Sequence, residues 1–281
     1  MNVRDTIVTL RRRLLPEYGQ GETQAIIRII FQYLKGWDAA HIFMNEDKVV
    51  SPEVAASIER IMARLERHEP IQYITGIAPF YGIEFHVDRR VLIPRPETER
   101  LVDMVVDADG SRDDLRVLDI CTGSGCIAIA LARNLRFPKV EALDISADAL
   151  AVARENARSL NVDVTFEQAD IFKWKPEESA YDVMVSNPPY IAMSERDAME
   201  ANVLDYEPEM ALFPGDDPLI FYSRIAEVAA IGLKPSGQVY LEINPKFAET
   251  TAGVLRHAGL TDVELSRDIH GDYRYAKAVK R

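Results

Sequence analysis

The chain is predicted to be an α/β protein, with a mostly parallel sheet and helices on both faces over residues 91–281, a helical bundle over 1–68 and a hairpin linker over 69–90. Three patterns predict this. Apolar residues recur at helical spacing through the first 68 positions; strand-like and helix-like segments alternate from about residue 91 onward; and a glycine turn joins one such strand directly to a helix start. Strands that alternate with helices pair in parallel, because each helix carries the chain back to the starting edge of the sheet.

In the first region Ile7, Leu10 and Leu14 mark one apolar helix face, and the run from Ile26 to Leu34 is apolar enough for a bundle interior. Ser51-Pro52-Glu53 opens a further helix. Ser51 suits the N-cap and Pro52 the first turn, where its missing N–H costs nothing, and Val54, Ile58, Ile61, Met62 and Leu65 form the buried stripe. Between 69 and 90 the texture changes to aromatic and β-branched residues around Gly76, Pro79 and Gly82, which predicts a short hairpin. The sequence shows no internal repeats or low-complexity segments.

Composition narrows the function. With 281 residues, 47% of them hydrophobic, the chain has ample material for a core, and it shows neither a transmembrane run nor a secretion signal, so a cytoplasmic location is expected. A net charge of −12 opposes nucleic-acid binding, which needs a basic footprint; Arg11-Arg12-Arg13 is the only compact basic run. The two cysteines, Cys121 and Cys126, have neither zinc nor disulfide spacing and read as free packing thiols, with no metal expected.

The candidate site is a set of strand ends. Arg116 to Ala128 reads as strand, glycine loop and helix start, with Gly123, Gly125 and Ala128 in G-x-G-x-x-A spacing, the arrangement of a nucleotide-type cofactor site. Ser124 and the helix that follows offer free N–H groups. Asp144 ends a second strand about 20 residues past the loop, the place of an acid that holds ribose hydroxyls. Asp119 precedes the loop. A carboxylate there would repel a pyrophosphate and attract a cation, which disfavours a dinucleotide and favours S-adenosylmethionine, with its ammonium and sulfonium and no phosphate. A third strand ends in Asp170-Ile171, suited to accept from an adenine amino group and to cover its ring.

A fourth strand, Tyr181 to Ser186, stops at Asn187-Pro188-Pro189-Tyr190. Proline cannot continue a strand and restricts the residue before it, so Asn187 is held at the lip of the sheet. An Asn-Pro turn that merely closes a strand is the plainer alternative. The convergence of Asp119, Asp144, Asp170 and Asn187 on one rim favours the functional reading, because ligands of open α/β sheets bind at the carboxyl ends of the strands. The loop beyond, with Glu207-Pro208-Glu209 and Pro214 to Pro218, is long enough to cover a substrate.

Together these motifs resemble class I S-adenosylmethionine-dependent methyltransferases with a Rossmann-like domain. More narrowly they resemble the HemK or PrmC family of protein-glutamine N5 methyltransferases that act on peptide chain release factors. Val91 to Glu99 and Pro70 to Gly76 followed by Phe80-Tyr81-Gly82 are similar to that family's signature segments, and the resemblance runs on to Asp268–Arg274. It implies a methyl transfer to the glutamine of a Gly-Gly-Gln motif, with the N-terminal bundle recognising the release factor and the enzyme a monomer. It further implies that Asn187, Pro188 and Tyr190 are catalytic. The Asn187 oxygen and the Pro188 carbonyl would accept the two amide protons, Tyr190 would pack on the amide, and Pro189 would complete the substrate site. Asp119, Cys121, Thr122, Gly123, Ser124, Gly125, Asp144, Asp170, Ile171 and Asn187 would hold the cofactor. Two positions depart from the family pattern: Cys121 and Asn244 stand where glycine is common. The alternatives are a ribosomal-protein glutamine methyltransferase, a nucleic-acid adenine-N6 methyltransferase and, from another class, a cofactor-binding regulator without turnover.

Overall fold

Glycine at position 76 marks the division of the chain. A computed structural model describes all 281 residues, which form two units, Met1–Thr75 and Gly76–Arg281.

The first unit contains α1 (Val3–Lys35), α2 (Ala39–Met44), α3 (Pro52–Leu65) and α4 (Ile71–Thr75). Asn2 caps α1, its Oδ1 accepting from Asp5 N at 2.8 Å; the helix is interrupted at Gly19 (φ 65°, ψ −179°) and ends at Gly36 in the left-handed region. Ser51 caps α3 as expected, with Ile58, Ile61, Met62 and Leu65 buried and Val54 at the margin. Leu10 and Leu14 are buried, whereas Ile7 is only partly covered and Val3 completes the stripe instead. The boundary expected at residue 68 lies later. Ile71 and Ile74, three apart on a single turn of helix, join the same core as Phe31 and Met62, so residues 71–75 belong to the bundle and not to a linker.

The second unit begins with a two-stranded antiparallel hairpin, β1 (Ile77–Phe80) and β2 (Ile83–His86). Its two-residue turn, Tyr81-Gly82, has φ of 51° and 71°, the signature of a type I′ turn whose twist matches that of the strands. The hairpin is not a free linker either. Phe80 and Phe85 are buried, meet edge to face at 6.0 Å and belong to the core of this unit.

Next come α5 (Glu99–Asp109), β3 (Arg116–Ile120), α6 (Cys126–Asn134), β4 (Lys139–Asp144), α7 (Ala147–Ser159), β5 (Thr165–Gln168) and β6 (Tyr181–Ser186). Two short helices, α8 (Ala201–Leu204) and α9 (Glu209–Leu212), precede α10 (Ile220–Gly232), β7 (Leu233–Glu242), α11 (Ala248–His257), β8 (Thr261–Arg267) and β9 (Tyr273–Val279). The seven-stranded sheet has the order β5-β4-β3-β6-β7-β9-β8, with β9 antiparallel to both its neighbours and the other pairings parallel.

Period-two alternation divides the core between the two faces. Val117, Val183 and Val185 pack with α5 and α6, and Leu118, Met184 and Leu241 pack with α10 and α11. From β3 the chain winds outward through β4 and β5, then returns to place β6 on the other side of β3. The switch point therefore lies between β3 and β6, where the carboxyl ends of the strands open a crevice. No helix of the chain is long and apolar enough to cross a membrane.

Candidate active site

The glycine loop turns sharply out of β3. Cys121, Gly123 and Gly125 all have positive φ (63°, 55° and 81°), and α6 starts immediately afterwards. A Cβ on Gly125 would lie 3.1 Å from the Ala153 Cβ and 3.2 Å from Ile129 Cδ1, so glycine there serves close packing of α6 on α7. A Cβ on Gly123 would meet nothing within 4 Å, because that side opens into a cavity. Cys121 adopts a left-handed conformation without being glycine, which costs about 1–2 kcal/mol.

Asp144, at the end of β4, accepts from Gly123 N through Oδ2 and from Ser146 N through Oδ1, both at 2.9 Å. It thereby fixes the loop to the neighbouring strand, and burial raises its carboxyl above the usual range. Asp119 is fully buried at the end of β3. Its Oδ2 accepts from the Thr122 hydroxyl at 2.6 Å and Ala128 N at 3.2 Å, and Oδ1 has no partner. Burial pushes this carboxyl up to about 7, against the downward pull of its two hydrogen bonds and with a further push from Asp144.

Above the loop lies a cavity of about 760 Å³, counted with its open mouth. Cys121, Gly123, Asp144, Asp170, Ile171, Asn187 and Pro189 line it, so seven of the expected residues converge. Asp119, Thr122, Ser124 and Gly125 do not. All four are buried, Asp119 at the end of β3 and the other three within the loop, and the Ser124 carbonyl accepts from Asn156 Nδ2 at 2.9 Å. Asp170 pairs with Lys173 at 3.0 Å and accepts from Phe172 N, also at 3.0 Å, and these two contacts hold its carboxyl below the usual range. The sequence reading missed the apolar walls. Ile145 and Phe172 line the cavity although 52% and 41% exposed, and Phe172 meets Phe221 edge to face at 5.0 Å. An exposed apolar residue directly after a strand-end acid, as in Asp144-Ile145, is the signal that marks such a wall.

The wall chemistry fits S-adenosylmethionine. Apolar side chains make up most of the lining, Asp144 and Asp170 are its two acids, and the orphaned Asp119 oxygen would gain from a cation bound nearby. Arg90, the one basic side chain in the lining, is already paired with Asp88 at 2.5 Å, so no free cation awaits a phosphate.

Asn187 follows β6 and borders a second hollow of about 520 Å³, shared with Arg95, Pro188, Tyr190 and Met199. It is thus common to both. Asn187 Nδ2 donates to Thr98 Oγ1 at 3.1 Å; the Thr98 hydroxyl donates to Glu242 Oε2 at 2.7 Å; and the Tyr190 hydroxyl donates to Glu242 Oε1 at 2.9 Å. Burial, reinforced by the Glu242 charge, pushes the Tyr190 hydroxyl well above its ordinary range, so it stays neutral and donates. Arg95 pairs with the buried Glu207, whose other oxygen accepts from Ile93 N at 3.2 Å, fastening the segment before α5 to the segment after Asn187. Thr98 and Glu242 were not singled out from the sequence.

Comparison with known proteins bears on this geometry. Residues 8–76 match the PrmC N-terminal domain and residues 111–215 a methyltransferase domain. A release factor glutamine methyltransferase of Bacteroides thetaiotaomicron is 45% identical over 96% of this chain and 97% of its own length. The chain belongs to the release factor glutamine methyltransferase family. Members from Flavobacterium psychrophilum (40% identical over 85% of this chain and 88% of its own) and Streptococcus pneumoniae (42% over 91% of both) agree. Among solved structures, a methyltransferase from Pyrococcus furiosus superimposes with a TM-score of 0.54, covering 79% of this chain and 98% of that one at 19% identity, which speaks for the fold. Within the family's frame, the positions expected to be glycine acquire a local account. Cys121 takes the left-handed backbone that glycine would adopt without strain, and Asn244 uses a side chain that glycine lacks.

Proposed function

We propose that the chain uses S-adenosylmethionine to methylate the N5 side-chain nitrogen of the glutamine in the Gly-Gly-Gln motif of peptide chain release factors. The observation that carries this reading is Asn187, the one polar side chain common to the cofactor-type cavity and the second hollow, with its amide nitrogen already engaged by Thr98.

Bound S-adenosylmethionine supplies an electrophilic methyl group on a sulfonium. An amide nitrogen is a weak nucleophile because its lone pair is delocalised, so the protein's contribution is alignment and hydrogen bonding rather than a strong base. The Asn187 oxygen and the Pro188 carbonyl accept the two N–H bonds of the substrate amide, with Pro189 and Tyr190 packed about it. Tyr190 remains a neutral donor to Glu242 and takes no proton; the proton shed by the methylated amide leaves to water. The loop Cys121, Thr122, Gly123, Ser124 and Gly125 would hold the methionine part of the cofactor, Asp144 would accept from the ribose hydroxyls, and Asp170 and Ile171 would hold the adenine. Asp119 would contribute its charge. Residues 1–75 serve release-factor recognition, and the enzyme works as a cytoplasmic monomer.

Transfer of radiolabelled methyl to a purified release factor tests this, beside a copy whose Gly-Gly-Gln glutamine is replaced and duplex DNA as a parallel acceptor. Label on the intact factor alone is expected. The net charge of −12 makes DNA a poor acceptor, and label on DNA or on the replaced factor would refute the assignment.

A further inference from the structure

The two ends of an asparagine amide have nearly the same shape and opposite hydrogen-bonding sense, so a site built on Asn187 needs something to decide which end faces the substrate. The decision is made two residues away in space. Thr98 has one hydroxyl proton, and it goes to Glu242 Oε2 at 2.7 Å. Thr98 can therefore meet Asn187 only as an acceptor, which selects the Nδ2 end, at 3.1 Å, and turns Oδ1 away. Glu242, at the end of β7, is 2% exposed and uses its other oxygen to accept from Tyr190 at 2.9 Å. Burial raises the Glu242 carboxyl above its usual range, and the hydrogen bonds from Thr98 and Tyr190, with the positive charge of Arg274, act the other way and favour the ionised, acceptor-only form.

We propose that Glu242 is a positioning residue: as an acceptor-only group it sets the direction of the hydrogen-bond chain from Asn187 through Thr98, presents the Asn187 oxygen to the substrate amide, and holds Tyr190 with its second oxygen. This rests on the functional reading above and deepens it. Glutamine in place of Glu242 keeps the volume but brings two N–H donors. Where its nitrogen donates to Thr98, the Thr98 proton is released toward Asn187 and demands the wrong end of the amide.

Three variants of the full chain test the proposal: Glu242→Gln, Thr98→Val and Thr98→Ser. In the first two, kcat on release factor is expected to fall on the order of ten- to a hundredfold, the scale of losing a supporting partner, while KM for the factor and Kd for S-adenosylmethionine stay close to wild type. Thr98→Ser retains the hydroxyl and recovers most of the rate. A second readout needs no turnover. The side-chain amide protons of Asn187, assigned by their loss in Asn187→Ala, exchange slowly in the wild type and in Thr98→Ser, and shift and exchange faster in Thr98→Val and Glu242→Gln. Unchanged Asn187 resonances in both of those variants overturn the proposal, as does a fall in kcat accompanied by equal losses of thermal stability and cofactor affinity. If the wild type fails to label release factor, the functional reading fails alone, and the amide resonances still decide what orients Asn187.

Discussion

Asn244 Nδ2 donates to the backbone carbonyl of Tyr190 at 3.1 Å. The same nitrogen donates to Glu195 Oε2 at 2.7 Å, Glu195 pairs with Lys246 at 2.9 Å, and the Asn244 N–H donates to the Tyr222 hydroxyl at 3.0 Å. One buried amide thus fixes the end of β7 to the Asn187–Tyr190 segment and to the start of the cover that follows. Asn244→Ala leaves a carbonyl and a carboxylate short of a donor, which is expected to cost about 1–3 kcal/mol. Because Asn244 borders neither hollow, the kinetic effect is expected in KM for the release factor, through a looser 190–199 segment, with Kd for S-adenosylmethionine unchanged. Thermal denaturation and steady-state methylation check both; a lower melting temperature with an unaltered KM would sever the link between this anchor and the substrate side.

Removal of the Asn187 acceptor is expected to act mainly on the rate. Asn187→Ala loses one aligned partner for the substrate amide and should lower kcat by roughly 10² to 10³. Asn187→Asp is no rescue, since a carboxylate oxygen in place of Nδ2 would face a Thr98 oxygen whose proton is already committed to Glu242. Single-turnover methylation separates this from product release. Activity near wild type in either variant would remove Asn187 from the reaction.

Cys121→Gly reverses the ordinary sign of a glycine substitution. Relief of the left-handed strain at φ 63° is worth about 1–2 kcal/mol. The extra freedom of glycine in the unfolded chain costs about 0.4–1 kcal/mol. Relief exceeds cost, so the variant is expected to melt at or above the wild-type temperature and to bind S-adenosylmethionine no more weakly. A clear fall in melting temperature would mean that the packing of the thiol outweighs the strain of the backbone.

How much of this was legible in the sequence follows from the range of each interaction. Asp144 and Asn187 could be placed because a strand end and its turn are neighbours in the chain, and the punctuation by glycine or proline is local. Ser124 belongs to the same motif, yet it is buried away from the cavity, its carbonyl tied to the distant Asn156. The chain that orients Asn187 is invisible to local pattern, since Thr98 lies 89 residues from Asn187 and 144 from Glu242. The pairing of β6 with β7 sets Asn187 and Glu242 beyond neighbouring strand ends, and the turn before α5 places Thr98 between them. The domain boundary shifted for a related reason. Ile71-Gln72-Tyr73-Ile74-Thr75 has the β-branched and aromatic content of a strand, and its burial of Ile71 and Ile74 against the bundle made it a helix.

The acidity of Asp119 couples the cofactor to pH. Its carboxyl stands at about 7 in the folded chain against 3.8 for a free aspartate. Between those values the folded protein holds a proton that the unfolded chain has released, so stability without cofactor falls as pH rises from about 4 through 7. Asp119→Asn should flatten that part of the curve, with the largest gain above pH 7. A cation bound near Asp119 favours its ionised form, so binding of S-adenosylmethionine near pH 6 should release a proton and tighten as pH rises toward 8. Calorimetric titrations at pH 6 in two buffers of different ionisation enthalpy count that proton. If Asp119→Asn releases as many protons as the wild type, the proton comes from another group, and the charge of Asp119 is not what the cofactor reads.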